Sequence, residues 1–114
     1  MRRDDAYLLD ILIAARKALA FVADMTWEAF EISELHQNAV IRTLETIGEA
    51  ARLVSQPTRD AHPEIPWERM IGMRHRLIHE YFRVDVTTVW DTVQNDLPPL
   101  IALIEPLIPP KDEV

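Results

Sequence analysis

The spacing of the apolar residues is the feature that most limits how this chain can fold. Apolar positions recur at intervals of three and four along almost its whole length, and no stretch of five or more residues alternates as a β-strand would. A stripe with 4-3-4-3 spacing, typical of near-antiparallel helix packing, comprises Val40, Leu44, Ile47, Ala51 and Val54. We therefore expect an all-α fold, an antiparallel bundle of four to five helices.

Caps and prolines set the expected boundaries of these helices. Thr26 and Asp85 are typical N-caps, Pro66 suits the first turn of a helix, and Pro98-Pro99 should kink or break one. The prediction is a first helix over 4–24, a short turn over 27–30, a second helix over 33–54, a loop over 55–66 with one turn at 57–61, a third helix over 66–80 and a fourth beyond position 85. The tail from Pro109 is expected to fray.

Length and composition favour one soluble domain. The chain has 114 residues, 48% of them apolar and 27% charged, which suits a single core-forming unit over 1–114. It contains no cysteine, which excludes thiolate metal sites, and no run approaches the roughly 20 apolar residues that a membrane span needs. A net charge of −7 argues against non-specific binding to duplex nucleic acid. We expect a cytoplasmic protein that binds no membrane.

One segment concentrates the titratable and cationic side chains. Arg74-His75-Arg76-Leu77-Ile78-His79-Glu80-Tyr81 holds two of the four histidines, and a short window of the third helix and its end carries Arg69, Arg74, Arg76 and Arg83. On an acidic chain, such a local cluster favours chemistry on a phosphate over a general solubility surface.

The helical positions of these side chains separate them into two groups. At 100° per residue, Arg74 falls in the middle of the apolar stripe of the third helix, whereas His75 and His79 fall on one flank. An arginine on an apolar stripe needs a partner. Arg74 either forms a structural salt bridge with Glu45 or Glu49, or awaits a phosphate that its planar guanidinium can bind, and the two roles are compatible.

The two histidines also allow more than one interpretation. His75 and His79 stand at i and i+4 and could bind a metal, but no carboxylate shares their flank at a useful spacing, so we expect no metal. An imidazole near a guanidinium suits metal-free phosphodiester chemistry, and Gly72 leaves space on the flank of His79. Arg74 and His79 are about 140° apart on an ideal helix. Two copies of the helix across a two-fold axis would bring them together more easily than one.

Longer motifs resemble a known family. Arg74-x4-His79-x-Tyr81 is similar to the Arg-x4-His-x-Tyr signature of HepT toxins, a branch of the HEPN superfamily, although the residue after the arginine is His75 where that family often has Asn. The similarity covers roughly Asp4 to Leu107. Other stretches that agree with the family are Ile47-Gly48-Glu49-Ala50-Ala51, Pro63-Glu64-Ile65-Pro66-Trp67, Ile71-Gly72-Met73-Arg74, Tyr81-Phe82-x-Val84-Asp85, Val89-Trp90 and Leu97-Pro98.

The resemblance implies a homodimer, joined through its signature helices, that acts as a metal-independent endoribonuclease without a cofactor. Arg74 and His79 would be the catalytic residues in a shared cleft, and we expect His75 and Glu49 to support them, with Glu49 orienting Arg74. The resemblance also implies a partner, a minimal nucleotidyltransferase antitoxin of the MntA type. That antitoxin can transfer AMP to the signature tyrosine, here Tyr81, which would repel RNA.

A non-catalytic role is the alternative. In it, the cluster binds a nucleotide or the partner protein, and the chain serves as an interaction and modification target. The acidic balance favours this interpretation, because RNA must approach against the net field. RNA binding by the dimer at low salt, and cleavage in EDTA that His79→Ala abolishes, would distinguish the two.

Overall fold

Helices account for most of the chain that the computed structural model describes, which is residues 2–109 without the side chains of Arg2 and Tyr81. The α-helices are α1 (Arg2–Phe21), α2 (Trp27–Glu31), α3 (Glu34–Leu53), α4 (Gln56–Ala61), α5 (Trp67–His79), α6 (Val86–Asp91) and α7 (Leu97–Ile104). Those described residues form no strand, so the all-α prediction is confirmed. The predicted fraying of the tail concerns residues 110–114, which lie outside the described part. None of the described helices combines the length and apolarity needed to cross a membrane.

Helix α3 is the centre of the bundle. It packs against α1 on one side and α5 on the other, and α7 packs against α1. All five residues of the predicted stripe on α3 are buried. The first turn of α1 meets the chain just beyond α3, because Asp4 accepts a hydrogen bond from the Ser55 backbone N–H at 2.9 Å. Helices α1 and α3 are therefore antiparallel, as their spacing predicts.

The predicted caps are present. Thr26 accepts a hydrogen bond from the Ala29 N–H at 3.1 Å, and Asp85 accepts one from the Thr87 N–H at 2.9 Å. The first helix ends at Phe21, not at the predicted Asp24. Beyond Phe21 the backbone hydrogen bonds join residues three apart, such as the Val22 N–H and the Leu19 C=O. This tighter 3₁₀-type pattern ends the α-helix.

The two adjacent prolines change the type of helix. A π-helical segment, Thr92–Asp96, separates α6 from α7, and the Leu97 N–H donates to the Thr92 carbonyl. Pro98 and Pro99 follow at once and have no N–H to continue the α-helical ladder. The predicted interruption is therefore present, and the chain passes through it without leaving a helical path.

A buried carboxylate ties α1 to the junction of α3 and α4. Asp4 is only 3% exposed, and its oxygens accept hydrogen bonds from the Ser55 N–H at 2.9 Å, the Ser55 hydroxyl at 2.6 Å and the Thr58 hydroxyl. Burial by itself would raise the pKa of Asp4, but these hydrogen bonds outweigh it and hold that pKa below its usual value. The ionised form of Asp4 is thus the one that stabilises the fold.

Candidate active site

Helix α5 carries the residues of the candidate site, and its inward face fixes its orientation. Trp67, Met70 and Leu77 are buried against the core. The Trp67 indole N–H donates to the His62 carbonyl at 3.0 Å, which anchors the start of the helix. With these three residues inward, Arg74 comes to the flank that faces α3.

Gly48 allows α5 to approach α3 closely at Arg74. A Cβ built on Gly48 would overlap the Cβ of Arg74 and lie 2.7 Å from the carbonyl oxygen of Met70. Only glycine therefore fits without moving the two helices apart. Gly48 stands in one of the family-like motifs, but this contact depends on how the helices dock and cannot be predicted from the motif.

Glu49, the next residue on α3, stands between two arginines. Its Oε1 lies 3.5 Å from Nε of Arg74, so the predicted ion pair is present. Its closer partner is Arg52, whose Nε and a terminal nitrogen bond the two carboxylate oxygens at 2.9 Å each. Hydrogen bonding to Arg52 is the main cause that lowers the pKa of Glu49, and the charges of Arg52 and Arg74 add to it. Sequence reasoning missed Arg52, although Glu49 and Arg52 stand at i and i+3, a spacing that favours such pairs.

His75 and His79 form a pair of exposed imidazoles. Their ring centroids lie 4.3 Å apart with the planes tilted by 42°. Within residues 2–109, no group of three or more His, Cys, Asp or Glu side chains is placed to hold a metal ion. The alternative of a two-histidine metal site therefore finds no third protein ligand in the described part of the chain.

Gly72 opens the flank on which His75 lies. A Cβ built on Gly72 would meet no atom within 4 Å, in agreement with the predicted space. The opening belongs to a groove of about 440 Å³ between α5 and the α6–α7 segment, which His75 and Arg76 also line. We call it the α5–α7 groove.

Arg74 and His79 lie on separate flanks of α5. Arg74 lines a second groove, of about 310 Å³, together with Tyr7, Glu45 and Glu49. His79 does not line that groove; its ring contacts the ring of His75, which lines the α5–α7 groove. The single chain thus brings Arg74 to Glu49 and His79 to His75, and it does not bring the two pairs into one groove.

Tyr81 follows the helix directly. Its backbone lies in a 3₁₀ turn, Tyr81–Arg83, just beyond the C-cap residue Glu80. The side chain of Tyr81 lies outside the described part of the structure, so its expected role as an AMP acceptor stays a prediction.

Comparison with known proteins places this arrangement in a family. The family described as "Ribonuclease HepT-like" matches residues 11–107. "Probable ribonuclease HepT" of Thermococcus cleftensis is 44% identical over 101 residues, which are 89% of this chain and 92% of that protein. Two proteins of Methanocaldococcus jannaschii, each named "Putative RNase", are 39% identical over 108 residues (95% of this chain, 93% of the relative) and 38% over 100 (88% and 92%).

No solved structure matches this chain significantly. The family match covers most of the chain and includes both flanks of α5 and the residues of α3 that face it. The chain belongs to the HepT-like ribonuclease family.

Proposed function

We propose that this ribonuclease cleaves RNA internally and without a metal ion, in a cleft shared by two copies of the chain, and that it is the toxin of a toxin–antitoxin pair. Arg74 and His79 are the proposed catalytic residues, with Glu49 and His75 in support. Relatives along almost the whole chain bear ribonuclease names. The finer assignment rests on the geometry of α5.

The observation that carries the proposal is that Arg74 is not fully engaged by its structural partner. Glu49 accepts its two short hydrogen bonds from Arg52 and lies 3.5 Å from Arg74. The Arg74 side chain remains 32% exposed, so guanidinium donors are available to a phosphate. Glu49 therefore holds Arg74 in place without occupying all of its hydrogen-bond donors.

The proposed chemistry is an internal transesterification of the RNA phosphodiester. The ribose 2′-oxygen attacks the neighbouring phosphorus, the bond to the 5′-oxygen breaks, and the products are a 2′,3′-cyclic phosphate and a free 5′-hydroxyl. His79 acts as the base that takes the 2′ proton or as the acid that protonates the leaving oxygen. Arg74 donates to the phosphorus oxygens, on which negative charge builds in the transition state.

A second copy of the chain completes the proposed cleft. Arg74 lines a groove that His79 does not line, so a site that uses both needs a partner helix. Apolar side chains are exposed around the groove of Arg74, namely Leu53 (40%) and Ile78 (42%) beside it and Ile13 (44%) on α1. A homodimer that covers this face would bury them.

The proposed regulation acts on Tyr81. A nucleotidyltransferase antitoxin of the MntA type would attach AMP to the phenolic oxygen of Tyr81, which follows α5 two residues after His79. The added phosphate would bring negative charge next to the catalytic histidine and repel the RNA backbone.

The decisive experiment is RNA cleavage by the purified protein in excess EDTA. We expect cyclic-phosphate products from the wild type, and loss of at least about a hundredfold in rate for His79→Ala and Arg74→Ala, the usual range for a general acid–base or charge-stabilising group. Arg16→Ala, which removes an exposed cation paired with Glu105 just after α7, is the matched control. Cleavage that needs a divalent metal, or that survives His79→Ala, would overturn the mechanism. RNA binding without cleavage would favour the non-catalytic module instead.

A further inference from the structure

Apart from His75, the residues of the α5–α7 groove have no part in the proposed chemistry, yet the groove has the form of a binding site. Its volume of about 440 Å³ lies within the roughly 300–1,000 Å³ of small-molecule pockets. Its floor and walls are apolar and consist of Leu44, Ile47, Met70, Met73, Leu97 and Leu100. Gly72 leaves the mouth open, because no side chain projects there.

The rim of the groove is cationic on the side of α5. Arg76 is exposed, and its guanidinium donates a long hydrogen bond to the sulfur of Met73 at 4.0 Å. Among residues 2–109, Arg76 has no carboxylate within ion-pair distance, whereas Arg69 on the same rim is paired with Asp96 at 3.1 Å. On a chain of net charge −7, an unpaired arginine beside an apolar groove suits a ligand with a flat apolar part and an anionic part.

The groove is also continuous with the candidate catalytic histidine. His75 lines it, and the His75 ring lies 4.3 Å from the ring of His79, centroid to centroid. A phosphate at His79 would therefore have the neighbouring nucleotide at the mouth of the groove, next to Arg76.

We propose that the α5–α7 groove is a nucleobase subsite: it takes one unstacked base of the RNA next to the cleaved bond, while Arg76 and His75 hold the adjoining phosphate. RNA-binding proteins commonly stack splayed bases on aromatic or arginine side chains, and enzymes also hold flipped bases between apolar side chains. The inference rests on the proposed function of the same helix, and it adds a reason why single-stranded RNA is the substrate class.

The binding test uses the natural methionines as probes. The full-length Arg74→Ala protein, labelled with ¹³C at its methionine methyl groups, is titrated with AMP, GMP, CMP and UMP. We expect the resonances of Met70 and Met73 to move while that of Met25, outside the groove, stays fixed. Gly72→Leu should block the mouth and abolish the shifts, whereas Gly72→Ala should retain them. Unmoved Met70 and Met73 resonances with every nucleotide would overturn the proposal.

The kinetic test separates the subsite from the catalytic residues. Gly72→Leu and Arg76→Ala should each raise KM for a short single-stranded RNA about tenfold and change kcat less than about twofold, as expected for loss of one base contact. Arg16→Ala should leave both constants unchanged. An unchanged KM, or loss of the dimer in Gly72→Leu by sedimentation, would assign the groove to something other than a base. Methyl shifts on nucleotide binding with no cleavage by the wild type would instead contradict the proposed ribonuclease mechanism alone.

Discussion

Nε of Arg74 lies 3.5 Å from Oε1 of Glu49, a carboxylate whose two oxygens are both bonded to Arg52 at 2.9 Å. Glu49 therefore orients Arg74 from a fixed position and leaves guanidinium donors of Arg74 free. A short bidentate salt bridge between Glu49 and Arg74 would occupy those donors. This distinction leads to different expectations for stability and for catalysis.

Replacing Glu49 by Gln should lower cleavage and barely alter stability. The ion pairs of Glu49 are partly exposed, and such pairs contribute about 0–1 kcal/mol to folding. Loss of the charge that orients Arg74 should reduce kcat/KM by about tenfold, the scale of one charged hydrogen bond. Glu45→Gln, which alters a second carboxylate in the same groove, is the control and should be neutral. The measurements are cleavage of a fluorogenic RNA and thermal unfolding. A marked fall in the unfolding temperature with undiminished cleavage would assign Glu49 a structural role only.

The two glycines of the chain should respond in opposite ways to alanine. At Gly48 a Cβ would overlap Arg74 and approach the Met70 carbonyl, so Gly48→Ala should force α5 away from α3 and destabilise the protein by about 1–3 kcal/mol. At Gly72 a Cβ meets open space, so Gly72→Ala should stabilise the helix by up to about 1 kcal/mol. Urea unfolding of the two variants checks this. Equal effects at both positions would contradict the close approach of α3 and α5.

Acid should remove the stabilisation that Asp4 provides. The pKa of Asp4 in the folded protein lies below its unfolded value, so the contribution is fully present above the unfolded pKa and is lost as the pH falls through the folded pKa. Asp4→Ala should destabilise by about 2 kcal/mol at neutral pH, because Ser55 and Thr58 lose their acceptor. The difference from the wild type should shrink in strong acid. Asp24→Asn, at an exposed position, is the control. A difference that does not vary with pH would mean that the charge of Asp4 is unimportant.

Mixing two inactive variants should restore activity if the cleft is shared. A dimer of one Arg74→Ala chain and one His79→Ala chain has one cleft with both wild-type residues and one with neither. Random mixing makes about half of all dimers mixed, and each mixed dimer has one intact cleft of its two. About a quarter of the wild-type rate should therefore return. Arg74→Ala mixed with itself is the control. Absence of any recovery, with mixed dimers verified by mass spectrometry, would place Arg74 and His79 of each site on the same chain.

Helix periodicity was enough to predict the framework that holds the site. The 4-3-4-3 stripe of α3 is buried throughout, and the caps at Thr26 and Asp85 lie where their side chains predict. The rotation of Arg74 away from His79 also follows from their spacing alone. These features are local or repeat along one helix, so the sequence contains them directly.

Features that depend on the docking of two helices could not be predicted in the same way. Gly48 matters only because Arg74 and Met70 come to rest on it, and nothing local at Gly48 indicates that contact. The α5–α7 groove likewise lies between segments far apart in sequence, and Thr92 and Asp96 of the π-helical turn line it. Arg52 is a different case, because its i, i+3 spacing from Glu49 was visible and only the choice of partner was missed.

Modification of Tyr81 should inactivate the protein without unfolding it. Incubation with a nucleotidyltransferase antitoxin and ATP should raise the intact mass by one or more adenylyl groups, and peptide mapping should assign them to Tyr81. Cleavage should fall in step with the modified fraction, because the added charge stands two residues beyond His79 and repels the RNA backbone. Tyr81→Phe should keep its mass and its activity under the same treatment, and Tyr7→Phe should behave as the wild type does. Loss of activity in treated Tyr81→Phe would show that the antitoxin acts by binding and not through the phenolic oxygen.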